Sequence, residues 1–469
     1  MSAKGISAEA GTGRSPALGR VDPDWAWAPY EPDRRRPWNR QRVGHLFRRA
    51  AFGAGWPQVE RALAEGPART VQRLLHPDGD RQAFDRRFDR LDEAVARTSD
   101  VEVLRAWWLR RIIETPHPVQ EKLTLFWHNH FAISQDTVHD PRLMVRHVQT
   151  LRRHALGSYA ALLHAVMQDP ATLRGLHADA NRKIHPSRQL GRALAERFAL
   201  GPGKAAASDV EGIARAFTGW FVLRGELRFF PSERDPGSKR IFGQTGDFDA
   251  HAAVDLVLAH PATSLWIVRQ FFRGFPSETD EPDDRLLAPL ANDFAKDYDI
   301  RRLLARILRS NLFYSPELYL RRVKSPVEFA MGIITGLEGL VPTERLSREL
   351  AAMGHALYQP PAGHGWSGGR HWITPASLIA RSNLAQWLLT VGGDEPRLDA
   401  WRVAGRYGAT TPQAAAAWLI DLFLPGGLPS RIRRQLVGDV VGEARRSSAP
   451  RAVRVLAHRL SALPEFQLA

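Results

Sequence analysis

The run Ser208-Asp209-Val210-Glu211-Gly212-Ile213-Ala214-Arg215-Ala216-Phe217-Thr218-Gly219 passes into Trp220-Phe221-Val222-Leu223-Arg224-Gly225-Glu226-Leu227-Arg228-Phe229-Phe230, and the hydrophobic period changes at the junction. Val210, Ile213, Ala214 and Phe217 recur at i, i+3, i+4 and i+7, the stripe of an amphipathic helix. Ser208 with Glu211 three residues later reads as a capping box, in which hydroxyl and carboxylate each satisfy an orphan backbone N–H, so a helix is predicted over 209–219. From Trp220 the apolar residues alternate around Arg224-Gly225, which predicts a short β-hairpin near 220–230. The polar stretch 231–248 behind it reads as a loop.

Outward from this junction the helical spacing dominates. From Gln41 onward apolar residues are three and four apart, and the breaks are short and rich in Gly or Pro. Ser325-Pro326-Val327-Glu328 repeats the capping box with proline at the first helical position, and Thr374-Pro375 opens another helix in the same way. Helices are predicted over 249–259, 262–274, 282–297, 299–310 and 324–340, with a further helical group over 343–463. No fixed repeat period is present, which argues against a solenoid. The expected fold is a mainly α, multi-helical globular bundle with one short β-hairpin near 220–230. Three parts are expected: a flexible leader with an extended Trp/Pro segment over 1–38, a main helical domain over 39–340, and a C-terminal helical part over 341–469 packed on it.

Composition narrows the chemistry. The chain has 469 residues, 44% hydrophobic and 25% charged, with no cysteine. Disulfides, thiolate metal sites and cysteine nucleophiles are thereby excluded. The formal net charge is +15 and the pI about 10.7, but the arginines are scattered beside Asp and Glu in every helix, which argues against a nucleic-acid-binding stripe. No apolar stretch reaches the roughly 20 residues of a membrane span. Residues 1–20 lack the apolar core of a secretion signal, so a cytoplasmic protein without a membrane span is expected.

Four segments carry candidate chemistry. In Phe126-Trp127-His128-Asn129-His130-Phe131 two histidines invite a metal, but residues two apart on a helix point about 200° away from each other, so a two-histidine chelate requires a distorted helix. A divalent metal held by His, Asn and carboxylate groups is left open and not favoured; the cofactor is otherwise unknown. The second segment runs from Asn181 to the helix 188–200, where Ser187 is an N-cap and Arg192 precedes Glu196 by one turn, either as an ordinary surface pair or as groups orienting a substrate anion. The third is the loop Asp235-Pro236-Gly237-Ser238-Lys239, able to hold an anion or to act as a simple connection. The fourth is Gly363-His364-Gly365-Trp366-Ser367-Gly368-Gly369-Arg370-His371-Trp372, a Gly-rich aromatic loop that reads as a cover over a ligand or as a rigid plug.

The order of these motifs resembles a bacterial family known as domain of unknown function 1800. His45-Leu46-Phe47-Arg48-Arg49-Ala50-Ala51-Phe52-Gly53, Phe126 to Phe131, Arg153-His154-Ala155-Leu156-Gly157, Asp169-Pro170-Ala171, Ala216 to Trp220, Asp235 to Lys239, His260-Pro261-Ala262-Thr263 and Lys324 to Phe329 follow the family order from about residue 40 to the C-terminus. The resemblance carries no settled activity. Many members look exported and are encoded beside a second uncharacterised exported family, which implies envelope or polysaccharide work. Relatives typically show Pro-Asn-Glu-Asn followed by Ala-Arg-Glu where this chain has Pro186-Ser187-Arg188-Gln189-Leu190-Gly191-Arg192-Ala193, so two acidic positions have become Arg188 and Ala193.

Taken together, the sequence predicts a cleft between the four segments. His128 or His130 would donate or accept a proton and Glu196 would be the orienting carboxylate. Asn129, Asn181, Arg192, Asp235, Lys239, Trp366 and His371 would contact substrate. The expected reaction is hydrolysis or group transfer on a polar, anionic or glycan-like substrate. The alternative is a non-catalytic binding or assembly protein on a degenerate enzyme-like fold, engaging an acidic partner. The oligomeric state is left open.

Overall fold

The structure is a computed structural model and describes residues 18, 21–77, 81–97, 100–361, 363–389 and 398–469. Capping side chains set most helix starts. Asp140 accepts from the amides of Arg142 and Leu143 ahead of the helix Pro141–His154, and Asp169 from that of Ala171 ahead of Pro170–Gly175. In each, proline takes the first helical position, where its missing N–H costs nothing.

The mainly α fold with a hairpin is present. Trp220–Leu223 pairs antiparallel with Glu226–Phe229 across Arg224 and Gly225, both at positive φ. A second two-stranded ribbon, Lys239–Ile241 with Gln244–Gly246, lies inside the stretch expected to be loop. The capping box at Ser208 is not the one formed: the helix is Ala207–Ala216, and Asp209 accepts from the amide of Ala206 at 3.0 Å and from that of Phe242 at 2.8 Å. Starting earlier lets one carboxylate tie the helix and the ribbon together. Glu211 is thereby freed to pair with Arg188 at 2.6 Å.

The Trp/Pro segment contains a helical turn, Pro23–Trp27, capped by Asp22, and the Trp27 indole donates to the carbonyl of Leu286 at 2.6 Å. Most of the expected leader lies outside the described residues. In the C-terminal part the helix Thr343–Ala352 lies along Val101–Glu114, and Pro375–Leu389 packs on Pro326–Gly336.

At the centre stands the helix Pro118–Phe131, largely buried. Its Glu121 carboxylate accepts from Trp108, Arg111 and Arg152, so an interior charge is matched by two guanidiniums and an indole. Burial alone would raise this carboxyl, but Arg152 and Arg111 hold it below its ordinary value. Among the described residues no single helix is long and apolar enough to cross a membrane; the pair Ala250–Ala259 and Pro261–Gly274 is so only jointly, across a 74° bend.

Candidate active-site cavity

A cavity of about 1230 Å³ opens beside the central helix. Lys122, Phe126, Asn129 and His130 line it from that helix, spaced by three and four so that they share one face. The opposite wall begins as the α-helix Arg188–Arg192 and continues as the π-helix Ala193–Leu200. The wider turn rotates successive residues less about the axis, and Arg192, Glu196 and Arg197 all reach the cavity. Gly191 permits the close crossing on which this wall rests, since a Cβ there would lie 2.3 Å from the carbonyl oxygen of Val210. The helix Pro261–Gly274 adds Trp266, Gln270 and Arg273, and the Gly-rich loop forms the roof.

The roof is fastened at two places. The Asn129 amide accepts from the Trp366 N–H at 2.6 Å and donates to the Trp366 carbonyl at 3.3 Å. Gly365, at φ +71°, approaches so closely that a Cβ would lie 2.4 Å from the Asn129 carbonyl oxygen. Glu278 accepts from Gly369 N–H at 3.0 Å and from Val323 N–H at 2.6 Å. Trp366 and Trp372 are consequently packed down, while His364, Ser367 and His371 stay exposed.

At the floor, Glu328 closes the capping box with Ser325 and also binds Arg322 and Lys122. Burial would raise its carboxyl, but Arg322 and Lys122 hold it well below the usual range. Burial also pushes the Lys122 ammonium down to about 8 against the opposing pull of Glu328.

The expected residues divide cleanly. Asn129, His130, Arg192, Glu196, Trp366 and His371 line the cavity. His128 does not: it is fully buried, with Trp108, Tyr358 and Trp366 rings at 5.4, 6.2 and 5.7 Å and neither ring nitrogen partnered among the described residues. Burial drives its pKa well below the ordinary value, leaving a neutral core imidazole. Asn181 braces the fold instead, accepting from Ser187 N–H at 2.9 Å and donating to the Ala214 carbonyl at 3.3 Å. Asp235 is held by Arg215 at 2.6 and 3.2 Å, and the enclosed Lys239 ammonium donates to the carbonyls of Asp235 and Gly237 and to Asp247. The charges of that loop are met by Arg215 and Asp247, away from the cavity. The Arg192–Glu196 ion pair is absent among the described residues, so both groups face the cavity uncommitted. Among these residues no cluster of three or more His, Asp or Glu side chains has the arrangement of a metal site.

His130 is the imidazole that the central helix presents to the cavity. Its Nε2–H donates to the Phe198 carbonyl at 3.1 Å, which leaves Nδ1 with the lone pair. Burial lowers its pKa to about 4, opposed by that hydrogen bond and reinforced by Arg197, so the ring is neutral at pH 7.

The sequence reading did not single out Lys122, Arg197, Gln270, Arg273, Glu278 or Arg322. A usable signal existed for the first, since Lys122, Phe126 and His130 lie four apart on one helical face. The profile of the family described as "Protein of unknown function (DUF1800)" matches residues 45–468. The chain belongs to the DUF1800 family. No curated protein and no solved structure matches it. In this DUF1800 protein Arg188 and Ala193 both open onto the cavity.

Proposed function

We propose that the cavity is the substrate site of a hydrolase or group-transfer enzyme acting on a polar, anionic, glycan-like substrate. The observation that carries this reading is the charge of the wall. Lys122, Arg188, Arg192, Arg197, Arg273, Arg322 and Arg370 line the cavity beside the carboxylates of Glu196, Glu278 and Glu328. Glu211 answers Arg188, and Glu328 answers Lys122 and Arg322, which leaves Arg192, Arg197, Arg273 and Arg370 without a carboxylate partner among the described residues. Glu278 and Glu328 are occupied by backbone amides or by cations, so the remaining surface attracts an anion. Trp266, Phe126 and the roof tryptophans supply flat apolar faces of the kind on which sugar rings rest. His130 would accept a proton at Nδ1 and Glu196 would orient or activate the attacking hydroxyl, while the unpaired arginines of the cavity draw in the charged group.

The test is thermal unfolding of the protein with inorganic phosphate, sulfate, glucuronate or neutral glucose, followed by turnover of phosphorylated, sulfated and uronate-containing oligosaccharides. Anions should raise the midpoint with concentration and glucose should not. His130→Gln should cut turnover by about 10²- to 10⁴-fold with an unchanged midpoint. No response to any anion, or full turnover in His130→Gln, would refute the proposal.

A binding-only reading rests on a separate observation: Glu196 is the one cavity-lining carboxylate among the described residues without a protein partner, whereas glycosidic hydrolysis commonly uses two. Saturable anion binding without turnover would favour it.

A further inference from the structure

The cavity wall holds one donor edge that the protein leaves unanswered. Arg197 lies mid-way along the π-helix, its guanidinium stacked over the Phe198 ring at 4.7 Å, and its Nε and Nη2 atoms are shielded from water with no acceptor among the described residues. These two nitrogens form one side of the guanidinium, the side that presents two parallel N–H groups to a carboxylate or phosphate. No carboxylate stands nearby: the Arg197 pKa falls to about 10 through burial alone. Gln270 is in the same condition, its Nε2 buried and unpaired on the same cavity.

The two helices that carry these residues pack directly on each other. Trp266, one turn before Gln270, donates its indole N–H to the Arg197 carbonyl at 3.2 Å. Its ring closes over Gly201, where a Cβ would lie 2.7 Å from the indole and where φ is +90°. The helix Pro261–Gly274 is thereby locked against the π-helix. A buried N–H without an acceptor loses its hydration with nothing in return, so unpaired donors gathered on one cavity wall call for an acceptor from outside the chain. The residue after Arg197 supplies the carbonyl that fixes the His130 tautomer.

We infer that Arg197 and Gln270 form the anion seat of the cavity, taking a phosphate, sulfate or carboxylate group of the substrate through donors alone and holding it beside His130. The inference rests on the proposed substrate cavity and narrows it: the ligand carries a compact oxyanion, bound side-on by one guanidinium edge. That edge is shielded from water in the free protein, so binding requires side chains of the wall to move aside, after which the Gln270 amide donates to the same oxyanion. Arg192, Arg273 and Arg370 contribute only long-range attraction.

The test is calorimetric titration of the full chain with inorganic phosphate, sulfate and glucuronate, read beside arginine labelling by phenylglyoxal and mass spectrometry. Arg197→Gln should weaken the preferred anion about tenfold or more, Gln270→Leu about threefold, and Arg370→Ala less than twofold. In the wild type, phosphate should protect Arg197 from phenylglyoxal, a readout that holds even if a variant fails to fold. The three anions separate the sources of the shared chemistry: a phosphate- or sulfate-only response points to a tetrahedral ester, a glucuronate response to a uronic acid. If anions bind but protection and affinity loss follow Arg273 or Arg370, the seat is overturned while the cavity reading stands. If no anion binds, both fall.

Discussion

Removing the Glu328 carboxylate tests whether the cavity floor is held by a buried charge network. In Glu328→Ala the protein loses bonds from Lys122, from two nitrogens of Arg322 and from the Ser325 N–H, all accepted by one side chain that is 4% exposed. Charge-assisted bonds contribute about 1.5–3 kcal/mol each, and the burial of the carboxylate itself costs several kcal/mol, so the net loss is about 3–5 kcal/mol. The two cations left without their counter-charge account for most of it. The assay is urea unfolding at pH 7, followed by both fluorescence and circular dichroism to check that one transition is being read. Glu328→Gln keeps the shape and the cap acceptor, and Lys122→Met in that background removes one stranded cation, so the double variant should recover about 1–2 kcal/mol relative to Glu328→Gln alone. A Glu328→Ala midpoint shift worth less than about 1 kcal/mol, or strict additivity in the cycle, would refute the reasoning.

Three further outcomes are expected. His130 and His355 have folded pKa values lowered by burial to about 4 and about 3, below the ordinary 6.5; the unfolded chain therefore binds more protons between pH 6.5 and those values, and stability should fall as pH drops through that window. His355→Gln should flatten the urea midpoint against pH there, and an unchanged slope would count against the assignment. Gly365→Ala should lift the roof from Asn129 because of its φ of +71° and the 2.4 Å approach, costing about 1–3 kcal/mol and red-shifting tryptophan emission; an unshifted spectrum at full stability would show the contact to be unimportant. Asn129→Asp keeps the acceptor for Trp366 N–H but sets a carboxylate against the Trp366 carbonyl, so proteolysis within 363–372 should quicken, as it should not in Asn129→Gln if only the amide chemistry matters.

The helical fold was legible because its signals are local: period, caps and the Arg224-Gly225 turn all act within a few residues. The same logic correctly set His128 and His130 on different sides of one helix. Local reading failed where two groups competed for one role. Asp209 and Glu211 are both capping carboxylates, and the tertiary bond from Phe242 N–H goes with Asp209. Asp235 and Lys239 looked available because their partners, Arg215 and Asp247, lie in other segments. Glu328 was read as a cap and is one, but its pairing with Lys122 spans 206 residues, a juxtaposition no spacing in the chain announces. Arg197 reaches the wall only because the ladder widens to π at Ala193, and nothing in Ala193-Leu194-Ala195-Glu196-Arg197 marks that change.

The Phe198 carbonyl accepts both the Tyr159 hydroxyl and the His130 ring. Being main chain, this acceptor survives every substitution at position 198, so no single side-chain change there can erase the proton preference of the imidazole. It can be lost only by moving the whole turn, as deletion of one residue from 193–200 would do. The tautomer is thus inherited with the pitch of the helix, and a lineage that tightened that pitch would lose the imidazole's orientation while keeping every residue of the site.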